Sequence, residues 1–226
     1  LRVYTISDQD DSGAWMRKNF PKLFYIVSPG GYGAATWTGM NTVVPGIDNT
    51  TISNKWIAEN IQQEHGPLGA VYPDVAYGME GDTPSFLALI PNGLGDPEHP
   101  EWGGWGGRYQ LYIPELSAMD PKGFTGGEPE IRPIWTNAID EYTPAVPGDY
   151  GRATRLGEKP LAGFRTTVWR WRDDVQNDFA ARMDWTIKPY EEANHPPEPV
   201  LNHPGAMTVR SGETFALDAR GTTDPD

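Results

Sequence analysis

The sequence predicts an α/β fold built on a mostly parallel sheet, with the first strands of a β-sandwich appended. Three observations carry this. An apolar run at 3–6, an acidic loop, a helix-like stretch at 14–20 and a second apolar run at 23–27 form one β-loop-α-β unit. An apolar stretch ending near Ala76 then runs through an acidic turn into helix-like residues 86–90. Last, residues 207–209 and 215–218 flank a Ser211-Gly212-Glu213 turn and read as the first two strands of a β-sandwich. A parallel strand needs neighbours on both sides, and almost nothing precedes Val3. The sheet is therefore expected to be incomplete at its N-terminus and the chain to be an interior piece of a longer protein. The tail is expected to pair only with strands beyond Asp226.

Composition narrows the function. The chain has 18 Lys and Arg against 31 Asp and Glu, a net charge of −13, which argues against nucleic acid or an anionic membrane as partner. No apolar run approaches the ~20 residues of a membrane-spanning helix. With no cysteine there is no disulfide framework, thiol nucleophile or zinc-thiolate site. The balance fits a secreted, extracellular or periplasmic protein, and leaves a homo-oligomer open. Nine tryptophans stand beside 26 glycines and 22 prolines, which implies long ordered loops, since disordered segments are poor in aromatics. Indole faces stack on the C–H surfaces of sugars, so loop tryptophans point to carbohydrate. Trp15, Trp56 and Trp185 fall on helix-like stretches and are expected to fill the core.

Taken in order, the first strand ends in Asp8, Asp10 and Asp11, three acids in four positions at the edge where open α/β sheets bind ligands. Their mutual repulsion fits a cation or a polyhydroxyl ligand, and equally an N-cap cluster for the helix that follows. A glycine-rich loop, 28–51, contains Trp37 and matches no phosphate-binding spacing. Asn49-Thr50-Thr51 is a glycosylation sequon, relevant only in a secreting eukaryote. Ser53 is expected to cap a helix with Trp56, Ile57 and Ile61 on one face, stopped by Gly66-Pro67. Glu80 and Asp82 form a second acidic pair at a second strand end, able to divide general-acid and general-base roles. Asp82 or Thr83 could instead cap the helix.

Next comes Trp102-Gly103-Gly104-Trp105-Gly106-Gly107-Arg108, whose tryptophans are expected on a shaped loop, with Arg108 pairing a carboxylate of the protein or of a substrate. Residues 119–161 are dense in Pro, Gly and charge and read as a surface excursion. Residues 167–185 have helical spacing, with Val175, Phe179 and Met183 on the buried side. Asn177 and Asp178 sit beside that face. Capping or pairing with Arg182 accounts for them as well as metal or sugar hydroxyls would. Asn194 to Pro199 is a stiff linker. The expected division is 1–193, a linker at 194–200, and 201–226.

Five motifs in order carry a resemblance: residues 7–13, 24–31, 80–87, 102–109 and 176–185. Together they resemble a family of secreted cellulose-binding proteins with a nucleoside-hydrolase-like domain, over about 1–193. The tail resembles the immunoglobulin-like domains of surface proteins. The resemblance implies a Rossmann-like sheet and a Ca²⁺ site. Asn177-Asp178-Phe179 looks like the late metal-binding segment of nucleoside hydrolases, making Asp178 the first metal candidate and Asp10 the second. The acidic loop that would supply the other ligands is expected before Leu1. Asn177 stands where some nucleoside hydrolases carry a catalytic His, and an amide cannot donate a proton as an imidazolium does.

The first functional expectation is a metal-assisted glycosidase acting on a plant-type glycan, with Glu80, Asp82 and Asn177 catalytic and Asp8, Asp11, Trp37, Trp102, Trp105 and Arg108 holding substrate. The second is a non-catalytic carbohydrate-binding module on the same fold. A nucleoside N-ribohydrolase comes third.

Overall fold

The computed structural model describes residues 2–5, 12–27, 40–41, 43–44, 48–74, 87–90, 92–113, 133–143, 161–203, 205 and 207–226. The N-terminal unit folds as its pattern predicts. Strand β1 (Arg2–Thr5) leads through α1 (Ser12–Asn19) to β2 (Phe24–Val27), and the two strands pair in parallel, Val3 opposite Tyr25. Arg17 and Lys18 lie in the last turn of α1, where the helix dipole favours cations. Met16 of this helix packs with Val3 and Leu23 on a core of Tyr25, Tyr112 and Ile134. Helix α1 thus covers one face of the sheet.

The other half of the sheet comes from far along the chain. Strands β3 (Tyr109–Tyr112) and β4 (Ile134–Asn137) complete the order β1-β2-β4-β3, with β4 parallel to β2 and antiparallel to β3. The sheet is mixed, with two parallel pairings and one antiparallel. Strand β4 lies inside the stretch expected to be a surface excursion, and its Ile134, Thr136 and Asn137 are buried. Four residues flanked by Pro, Gly and charge are too short to reveal a period, and their burial comes from neighbours on both sides. A second, two-stranded antiparallel sheet joins β5 (Asp140–Tyr142) to β6 (Leu161–Gly163).

The helical layer is held by local caps and one long helix. After a 3₁₀ turn (Thr50–Ile52), Ser53 Oγ accepts a hydrogen bond from Trp56 N at 3.1 Å and caps α2 (Asn54–Ile57), which runs on into a π-helical turn (Ala58–Gln62). Ile57 and Ile61 are buried with Ile52 and Met183. Gly66-Pro67 opens the next helix, α3 (Gly66–Ala70), instead of only stopping the previous one, because a first-turn proline needs no N–H partner. The predicted 167–185 helix is two: α4 (Thr166–Trp169) and α5 (Arg172–Trp185). Val175 and Met183 face inward, as expected, Val175 into the cluster of Met40, Leu87, Trp105 and Val168 and Met183 into that of Ile52, Ile57 and Ile61, with Phe179 packed at the edge of the second.

Helix α5 also buries polar groups the periodicity did not reveal. Arg172, 1% exposed, donates to Met40 O, Asp48 O and Asn49 Oδ1, and Gln176 Nε2 donates to Thr51 O at 2.9 Å. The sequon side chain Asn49 therefore ties the loop: its Nδ2 donates to Val44 O and its Oδ1 also accepts from Val44 N, both at 2.9 Å.

Two expectations are corrected. Trp15 and Trp185 are exposed, because their helices turn other residues to the core, whereas Trp56 is half-buried and packs against the Ile52, Ile57, Ile61 and Met183 cluster. The tail forms its turn at Gly212, but the described residues from 207 to 226 contain no strand. Its backbone is tied by the Glu198–Thr223 bridge and a bond from Asn202 N to Asp218 O, while Met207, Val209, Phe215 and Leu217 remain exposed. Two short segments without a third strand or a covering helix bury too little to hold a sheet. No helix among the described residues is long and apolar enough to cross a membrane.

Candidate functional site

The face of the sheet opposite α1 is roofed by the loop from Asn92 to Arg108. Beneath it lies a cavity of about 230 Å³, walled by Phe24 and Ile26 of β2, Leu87 and Ile90, Tyr109 of β3, and Trp105. Asn92, Asp96 and His99 supply the polar part of the wall. An apolar pocket with a few convergent polar groups is the usual form of a small-molecule or sugar subsite.

The loop holds its shape through its own backbone. Asp96 Oδ1 accepts from Glu98 N at 2.8 Å, His99 N donates to Asp96 O, and Tyr109 N reaches back to Pro100 O at 3.0 Å. Gly107 has φ +91°, and a Cβ there would stand 3.1 Å from Val168 Cγ2, so both its conformation and its neighbour call for glycine. Tyr109 Oη donates to Gly106 O at 2.8 Å and pins the same turn.

The two loop tryptophans have different environments. Trp102 is 62% exposed and lies flat on His99, ring centroids 4.1 Å apart and planes 6° from parallel. Trp105 is 9% exposed and packs with Met40, Leu87, Val168 and Val175, while also lining the cavity. Its indole N–H meets no acceptor among the described residues. Arg108 is engaged by the protein: its Nε donates to Asp140 Oδ1 at 2.7 Å and its Nη2 to Ile139 O at 3.0 Å. Arg170 approaches the other oxygen of Asp140 at 3.6 Å and lies over the Tyr142 ring. This network anchors the end of the loop to β5.

Of the other sequence candidates, the structure does not bring Asn177 or Asp178 to this site. Asn177 is exposed on α5, and Asp178 accepts from Arg182 Nε at 2.7 Å one turn along the same helix. Asp8, Asp10, Asp11, Trp37, Glu80 and Asp82 lie outside the described residues. Among the described residues no three His, Cys, Asp or Glu side chains gather closely enough to hold a metal ion.

His99, Asp96 and Asn92 were not singled out from the sequence. The available signal was local: His99 stands three residues before Trp102 between two prolines, a spacing at which a turn stacks one ring on another. The bond from Trp102 N to His99 O at 3.0 Å is that turn.

No curated protein and no solved structure matches this chain. Residues 1–109, which include the loop and its tryptophans, match the family described as "Cellulose-binding Sde182, nucleoside hydrolase-like domain", and over that stretch the likeness read from the motifs to this cellulose-binding, nucleoside-hydrolase-like family is shown.

Proposed function

We propose that the loop from Asn92 to Arg108 is a carbohydrate-binding surface, and that the protein acts outside the cell as a non-catalytic binder of a neutral, cellulose-like glycan. The observation that carries this is Trp102, an exposed indole backed by a parallel imidazole and so presenting one free flat face. A pyranose ring lays its C–H face on such a surface. The cavity beside it, with Asn92, Asp96 and His99 in its wall, would take hydroxyls of the same chain. The cellulose-binding description of the matched family supports the ligand class.

The test is calorimetry with cello-oligosaccharides together with retention on insoluble cellulose. Trp102→Ala should weaken both at least about tenfold, in line with an aromatic hot spot worth ~1.4 kcal/mol or more. Its melting temperature should stay near wild type, because an exposed side chain contributes little to the core. Retention on cellulose unchanged by that substitution overturns the proposal.

The metal-assisted glycosidase remains a sequence-based alternative, with Glu80 and Asp82 as acid and base and Asp178 and Asp10 on Ca²⁺. No described contact supports it, and the Asp178–Arg182 pair occupies one of its carboxylates. Hydrolysis of aryl glycosides or nucleosides by the wild type, lost in Glu80→Gln, would establish it over the binding function.

A further inference from the structure

His99 stands where the exposed tryptophan and the cavity meet. Its ring covers one face of Trp102, its Nδ1 is 3.0 Å from Glu101 Oε1, and the residue forms part of the cavity wall. We propose that His99 is a pH-responsive positioning residue that holds the Trp102 indole ready for a sugar and grips it more firmly when protonated, an inference that rests on the carbohydrate reading of this loop.

The argument is one of hydrogen-bond inventory. Ionised Glu101 can only accept, so the neutral imidazole keeps its proton on Nδ1 and presents a lone pair at Nε2. Protonation leaves that bond in place and makes the ring a cation, lying flat on an indole face and beside a carboxylate. The charge over the indole face strengthens the stack. The ionisable groups around the ring are Glu101 and Asp96, with Glu98 adjoining, all on the same loop. Arg108 at the end of that loop is held by Asp140. Across the cavity the sheet presents Phe24, Ile26 and Tyr109, the last with its hydroxyl donated to Gly106 O.

An exposed tryptophan that rotates freely loses that freedom when a ligand lands on it. Immobilising such a side chain beforehand removes a cost that amounts to about five- to tenfold in affinity. His99→Phe keeps a flat ring in place and loses the charge, whereas His99→Ala loses both.

The experiment uses cellohexaose calorimetry at about pH 5 and about pH 8, which bracket the interval where histidines change charge. It adds tryptophan fluorescence across the same interval, since a protonated imidazole in contact with an indole quenches its emission. Trp102→Phe supplies the difference spectrum, which is needed because Trp185 also lies near a histidine, His195. Wild type should bind more tightly at the lower pH. His99→Ala should bind about five- to tenfold more weakly, and His99→Phe, which also loses a polar group of the cavity wall, should lose the pH dependence of binding. The wild-type minus Trp102→Phe emission should fall on acidification, and that fall should vanish in His99→Phe. Unchanged affinity in His99→Ala, or a difference emission flat across pH, overturns the proposal. If wild type binds no cellohexaose at either pH, the carbohydrate reading fails, and the difference emission alone decides whether His99 grips Trp102.

Discussion

At the scale of single residues, Trp105 separates packing from recognition. It fills the space between the loop and α5, so Trp105→Ala should cost about 3–5 kcal/mol of stability, the range for truncating a buried large aromatic. Trp105→Phe should cost much less, because the ring is kept and the N–H given up has no acceptor among the described residues. Thermal or denaturant unfolding of the two variants checks both; equal losses would mean the indole N–H has a partner after all. Some residues of this kind were legible in sequence. Ser53 was, because a serine just before an apolar helical face has one favoured use. His99 was not, since a stack between residues three apart in an irregular turn leaves no period. Trp15 and Trp185 misled because size was taken as a sign of burial, while the residues around them decide which side of the helix faces inward.

At the scale of elements, the loop and the long helix each carry a prediction. Gly107→Ala should destabilise by about 1–3 kcal/mol, because a side chain at φ +91° is strained and crowds Val168. The same change should weaken cellulose retention, as the turn also sets where the loop lies; full stability in unfolding experiments would show the turn to be tolerant. Near the end of α5, Asp184 Oδ1 lies 3.1 Å from His65 Nε2, and Lys188 Nζ donates to its other oxygen at 2.8 Å. Burial pushes the Asp184 carboxyl up, but these hydrogen bonds outweigh it and hold the group below the usual aspartate value. A depressed carboxyl stabilises the fold above its unfolded value, near pH 3.9, and that contribution is lost as pH falls through the folded value. Melting temperatures should therefore decline on acidification below about pH 4, and Asp184→Asn should flatten that decline. The β1-α1-β2 unit was readable because its periods change where its turns fall. Strand β4 was not, because its pairing is supplied by strands far away in sequence.

At the scale of the whole molecule, charge gives the clearest expectation. A net charge of −13, with Asp96, Glu98 and Glu101 around the candidate surface and Arg108 already paired, disfavours an anionic glycan. Cello-oligosaccharide binding should be nearly independent of salt. Polygalacturonate should bind weakly or not at all, and affinity electrophoresis in both polymers measures the contrast; equal retardation would place an unpaired cation at the site. The tail shows the limit of pattern reading at this scale. Two short runs around a glycine turn suggest strands, but such a pattern states only which segments could pair, and the described tail has no third strand or helix to cover them.

The placement of β4 also dictates an order of events during synthesis. Ile26 of β2 pairs with Trp135, more than a hundred residues downstream, so the β1-α1-β2 unit emerges with one edge of β2 unsatisfied. Until residues 134–137 arrive, that edge is a row of free backbone donors and acceptors open to neighbouring chains. Closing so distant a pairing is slow. Refolding should therefore lag well behind the microsecond formation of the helices, and yield should drop as protein concentration rises.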